Sequence, residues 1–129
     1  MTPAAAVREH LVAEGVAGGS SGWAAFEGGL TDLSGERQVA VFDTAGRTPI
    51  AAHASAGILR AGVQVLVRGF AGEYELTREK AVSVWDALHR QRIDGAQSVE
   101  GVNNPVWLGY TSDRRPTWSL NFILWTEKG

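Results

Sequence analysis

The chain has no cysteine. That excludes a disulfide framework, a thiol nucleophile and any cysteine-built zinc site. It also fits a cytosolic setting, where thiol cross-links are rare. Histidine is scarce: His10, His53 and His89 lack the tight spacing of metal ligands, so no metal site is expected. There is no excess of basic charge. Twelve Lys and Arg face 14 Asp and Glu, for a net charge of −2. A nucleic-acid-binding module would carry a basic stripe. A mildly acidic chain remains compatible with a protein that DNA passes without being gripped. No apolar run approaches the roughly 20 residues that span a bilayer. The N-terminus lacks the basic-then-apolar layout of a signal peptide. No membrane association is therefore expected.

What is present is the composition of one soluble domain. A length of 129 residues corresponds to a single domain, 1–129, and 44% hydrophobic with 20% charged residues is ordinary for a globular protein. A chain of this size buries about two-thirds of its unfolded surface, enough for one core. Five tryptophans are many for this length. Trp is favoured at contact surfaces as well as in cores, so either location is open for each.

The first element reads as a helix. Thr2 caps it, Pro3 suits the first helical position, and Gly15 supplies a left-handed stop. Val7 and Leu11 form its apolar stripe, widened by Ala4 and Val12, which places it on the outside of a sheet. Residues 15–36 are rich in Gly and Ser and read as loop, interrupted at Trp23–Phe26 by a short strand or an anchored turn. Gln38–Asp43 is a strand, Thr44–Arg47 a turn, and Pro49–His53 a weaker returning strand. Ala51–Gly57 is a small-residue loop. The next strand lies within Ile58–Arg68, with Val63, Val65 and Val67 on one face.

A second helix runs from about Glu73 to about Gln91. Tyr74, Thr77, Ala81, Val84, Trp85 and Leu88 recur at spacings of three and four and make its buried face. Glu73 and Glu75 at its start, and His89, Arg90 and Arg92 near its end, suit the helix dipole. Asp94-Gly95 ends it. Ser98–Val102 is a strand, Asn103-Asn104-Pro105 a turn, and Val106–Tyr110 with Thr117–Trp125 a hairpin across Ser112–Pro116. Trp118, Leu120, Phe122 and Leu124 share one face of the last strand. The pattern defines an α+β domain, a mainly antiparallel or mixed sheet with two helices on one face.

Catalysis needs a nucleophile or an acid/base pair brought together, and no such constellation stands out. Asp86 and His89 are three apart on the second helix and read as a solvated surface pair. His53, in a small-residue loop, reads as solvated. Asp43-Thr44-Ala45-Gly46 is reminiscent of a phosphate-cradling turn but lacks the Lys and the following helix. Gly15–Gly22 is not preceded by a strand, so it is no dinucleotide fingerprint. Asp113-Arg114-Arg115 reads as a polar hairpin tip. No catalytic, cofactor or metal residue is assigned.

Several ordered segments resemble the tail terminator and minor capsid proteins of long-tailed phages. Val39–Pro49 is similar to the first hairpin of that family. Gly62-Val63-Gln64-Val65-Leu66-Val67-Arg68-Gly69 is similar to its central strand. Lys80-Ala81 and Ala87-Leu88 follow on a helix at the expected distance. Leu108-Gly109, Asp113, Arg115-Pro116 and Ser119-Leu120-Asn121-Phe122 resemble its closing hairpin. The likeness spans roughly residues 38–125. The segment 110–115 is less acidic than the family's usual closing turn, and the Gly/Ser-rich segment has no counterpart.

The resemblance implies a non-enzymatic α+β subunit of the virion, placed at the tail–neck junction. It implies a homohexameric ring that caps the tail tube, stops its polymerisation and offers the head a joining surface. The partners would be other copies, the tail tube protein and a head-completion or stopper protein. Viral DNA would pass the central channel without sequence-specific binding. A head-side neck protein is the alternative within assembly. A small ligand-binding domain or hydrolase, with Ala51–Gly57 as its lid, is the alternative of another class. For partner contacts the candidates are His53 and Arg60 as loop residues facing neighbours or the channel, Arg68 on the polar side of the central strand, Arg114 and Arg115 at the hairpin tip, and Trp23 and Trp107 as aromatic anchors. Glu at both tip arginines is expected to weaken assembly with the fold intact.

Overall fold

The computed structural model describes residues 2–28, 36–47 and 58–127. Helix α1 (Pro3–Ala13) forms where its end signals place it. Thr2 lies in extended backbone and its hydroxyl accepts the Ala5 N–H at 3.1 Å, while Pro3 takes the first helical position. A second orphan donor of the first turn, Ala4 N–H, is accepted by Asp43 Oδ1 at 2.8 Å. Gly15 follows the C-cap with φ +73°. Ala4, Ala6, Val7 and Leu11 are buried, whereas Val12 stays on the rim of the stripe and is exposed.

The strands are β1 (Ala24–Glu27), β2 (Gln38–Arg47), β3 (Ile58–Arg68), β4 (Ser98–Gly101), β5 (Val106–Tyr110) and β6 (Pro116–Glu127), with α2 (Tyr74–Leu88) between β3 and β4. They make one six-stranded sheet in the order β1-β2-β3-β6-β4, with β5 also on β6. β1 runs parallel to β2 and every other pairing is antiparallel, so the sheet is mixed. β3 lines one edge of β6 from Thr117 to Glu127; β5 and β4 lie end to end along the other, at Pro116–Ser119 and Phe122–Trp125.

Register explains the core. Val39 pairs with Val67, Val41 with Val65, Val65 with Leu120 and Val63 with Phe122, so these side chains share one face. All are buried, together with Val7 and Leu11 of α1 and Ala81, Val84 and Leu88 of α2. Both helices therefore cover the same face, as the periodicity predicts. Ala40 and Ile123 are buried on the opposite face and lie outside this cluster. Among the described residues no helix is long and apolar enough to cross a membrane.

Three local expectations change. The turn placed at Thr44–Arg47 is strand: β2 continues, and one extra residue between the Thr44–Gly62 and Arg47–Arg60 pairs is absorbed as a bulge. α2 ends at Leu88 rather than near Gln91. His89 turns to extended backbone and Arg90 to φ +59°, which lets Arg90 N–H reach Val99 O at 2.7 Å and Gln91 O receive Val99 N–H at 2.9 Å. Asp94-Gly95 is consequently the turn between Ile93 and Ala96, not the helix stop. Tyr74 is partly exposed, at the rim of the helix face rather than in the core. The weaker strand Pro49–His53 and the loop 51–57 lie outside the described residues.

Candidate interaction surfaces

Among the described residues, two surfaces are left after the helices cover one sheet face. The first is the opposite face. Phe42, Gln64, Leu66, Arg68, Asn121 and Trp125 are half-buried there. It is organised by side-chain bonds across strands: Gln64 Nε2 donates to Ser119 Oγ at 3.0 Å, and Arg68 Nε donates to Thr117 Oγ1 at 3.3 Å. Arg60 belongs to β3 rather than to a loop, and its guanidinium carbon lies 5.7 Å from the Trp125 ring centre. Arg60 and Arg68 thus share this face, at opposite ends of β3.

The second surface is the outer edge of β5. Val106, Leu108 and Tyr110 are exposed, Leu108 at 55% and Tyr110 at 59%. Trp107 alternates with them and is half-buried. Its ring centre lies 4.9 Å from that of Tyr74, 5.2 Å from Trp118 and 5.0 Å from Tyr110. Trp107 is thus an anchor between α2 and the hairpin, with the exposed Tyr110 continuing the cluster outward. The exposed Leu and Tyr of this edge were not singled out in the sequence. The sequence shows a strand apolar on both of its faces, but only the sheet order places that strand at an edge.

The remaining candidates are placed apart from these. Trp23 is buried, with Lys80 Nζ 5.5 Å from its ring centre. Lys80 also donates to Val16 O at 2.9 Å, pinning the loop after α1; burial lowers its pKa. Arg114 is exposed at the tip in left-handed backbone, φ +63°. Arg115 is turned inward and buried: its Nε donates to Gly69 O at 2.9 Å and its Nη2 to Glu36 O. It ties the hairpin to the segments before β2 and before α2, so the expectation that Glu at both tip positions leaves the fold intact fails at Arg115. His53 lies outside the described residues.

An ion pair that the sequence did not reveal braces the same region. Arg37 grips Glu73 in a two-point contact, Nε to Oε1 at 2.9 Å and Nη2 to Oε2 at 2.6 Å. The Arg37 hydrogen bond holds the Glu73 carboxyl below its ordinary pKa, and the Glu73 bond raises that of Arg37. Arg37 also lies 4.7 Å from the Phe70 ring centre. Such a half-buried two-point pair contributes about 1 kcal/mol.

The chemistry weighed in the sequence takes structural roles. Asp43 serves the first turn of α1. His89 Nδ1 accepts the Gly101 N–H at 3.0 Å, and the His89 ring stacks 4.6 Å from that of Trp85. His89 thus faces β4 rather than standing as a solvated partner for Asp86. Among the described residues no group of three or more His, Asp or Glu is placed to hold a metal. A shallow cavity of ≈ 420 Å³ lies between Trp23, Arg37 and Phe70, and its one cation among these is engaged by Glu73.

No protein-family model and no curated protein sequence matches this chain. Solved structures do match. A chain of the virion of a native gene transfer agent (GTA) particle superposes with a TM-score of 0.66, over 98% of this chain and 95% of that one, at 15% sequence identity. At that identity the likeness defines a shared α+β fold.

Proposed function

We propose that the protein is a structural subunit of a virion, and that within this class it acts as a tail terminator. Copies form a ring, of six subunits, on the end of the tail tube. The ring stops tube polymerisation and presents the head, through a head-completion or stopper protein, with a surface to join. The observation that carries the virion reading is the end-to-end fold likeness to a chain of a gene transfer agent virion. The ordered tail-terminator-like segments between residues 38 and 125 support the finer reading.

The surfaces suit this work. An exposed strand edge is a template for pairing with another chain, and a head-to-tail contact that closes on itself buries every such edge. A net charge of −2 per copy, repeated around a pore, gives a channel wall that repels DNA phosphates and lets the duplex slide. No catalytic step and no cofactor belong to this role.

The test is binding to isolated particles parts. The protein is mixed separately with purified tail tubes and with filled heads of a phage that encodes it, and sedimented. Recovery with tubes, together with arrest of tube growth, is expected. Recovery with heads alone identifies a head-side neck protein. Recovery with neither, from a protein that turns over an ester or phosphoester substrate, identifies the small-enzyme alternative.

A further inference from the structure

We propose that the copies join edge to edge, the outer edge of β5 in one subunit pairing antiparallel with the outer edge of β1 in the partner subunit. This rests on the ring reading and adds its joint. Among the described residues, β1 is one margin of the sheet, and β5 lies end to end with β4 along the opposite margin, both on β6; β1 and β5 each have a strand on one side only. Unlike edges make a heterologous contact, the kind that generates rings.

Strand directions fit. β1 is parallel to β2, β2 antiparallel to β3, β3 to β6 and β6 to β5. β1 and β5 therefore run in opposite directions. Copies repeated in one orientation about an axis bring β5 against β1 of the partner subunit as an antiparallel pair, in which each strand's free N–H and C=O groups meet.

Side chains fit on both faces. Phe26 pairs with Ala40 and Val106 with Ser119, so both project from the helix-free face. Setting Val106 opposite Phe26 of the partner subunit brings Leu108, the extra residue of the bulge in β5, beside Ala24 of the partner subunit, and the exposed apolar edge is covered. Glu27 pairs with Val41 and belongs to the helix side. On that side, beside the start of β5, a groove is lined by Arg78, Val82, Trp85, Asn104, Pro105 and Trp118. The same register carries Glu27 of the partner subunit to Pro105, at the mouth of this groove. Arg78 and Glu27 are both exposed. Trp118 brings a buried Nε1–H that has no acceptor among the described residues. The groove thus offers a cation and a spare donor where the carboxylate arrives.

The absence of cysteine makes the test clean. In the Ala24→Cys/Leu108→Cys double variant, mild oxidation of tube-bound protein should give an intersubunit ladder, and either single variant should not. Glu27→Arg and Arg78→Glu should each cut ring formation about tenfold or more at fixed concentration, by setting like charges together. The combined swap should restore it. Rings that form normally with no ladder and with harmless reversals overturn the edge joint and leave the ring reading standing. Protein that binds tubes without forming any ring overturns both.

Discussion

Gly101 offers a sign test of the packing between α2 and β4. Its hydrogen faces the Trp85 ring, and a Cβ built there would collide with three ring atoms, Cη2, Cζ3 and Cζ2. Gly101 N–H is meanwhile held by His89, which stacks on the same ring. Strand propensity alone makes Gly101→Ala favourable by about 0.5–1 kcal/mol, through reduced chain entropy. The collision opposes this. The indole is confined by His89 on one side and Phe122, 5.7 Å away between ring centres, on another, so it has no easy retreat. Overpacking of this kind costs about 1–3 kcal/mol. We expect a net loss of about 1 kcal/mol in urea unfolding, and a fall in Tm of about 3–5 °C for a chain of this size. Trp85→Leu should destabilise alone, by lost burial. Combined with Gly101→Ala it should cost less than the sum by at least about 1 kcal/mol, because the ring that collides is gone. A neutral or stabilising Gly101→Ala, or strict additivity with Trp85→Leu, would refute the packing described.

Further outcomes concern the charged residues. Arg115→Ala should destabilise by about 2–3 kcal/mol, since two backbone carbonyls lose their donor, while Arg114→Ala should stay within about 0.5 kcal/mol; chemical denaturation of both variants compares them. Arg114→Gly should stabilise slightly, by up to about 1 kcal/mol, because φ +63° suits glycine; a loss would contradict that backbone. Glu73 has a folded pKa below its unfolded value, so its contribution is present above the unfolded pKa and is lost as pH falls through the folded one. Wild-type stability should therefore fall more steeply below about pH 4.3 than that of Glu73→Gln, which should be weaker by about 1 kcal/mol at neutral pH. Lys80→Ala should speed amide exchange around Val16–Trp23 without altering the exchange of β3, as the Val16 carbonyl loses its clamp.

Much of the fold was legible because it is periodic. The valines of β3, the alternation of β6 and the three-four spacing of α2 each name a buried face, and capping at Thr2, Pro3 and Gly15 bounds α1 correctly. What escaped is set by contacts distant in sequence. The end of α2 depends on Val99 taking the backbone of Arg90 and Gln91. The continuation of β2 past Thr44 depends on β3 accepting a bulge. Arg115 is indistinguishable from Arg114 in sequence, yet Gly69 O and Glu36 O draw only Arg115 inward. Of the partner-contact candidates, Arg60 and Arg68 fall on one open face, whereas Trp23 and Arg115 are buried. The β5 edge and the Arg37–Glu73 brace arise only once the strands and α2 are assembled.

The most direct measurement is electron microscopy of tail tubes grown from tube protein with and without this protein. The account predicts that added protein yields short tubes, each closed at one end by a ring of six copies. Tubes that grow on unchanged, with no added density at either end, would contradict it.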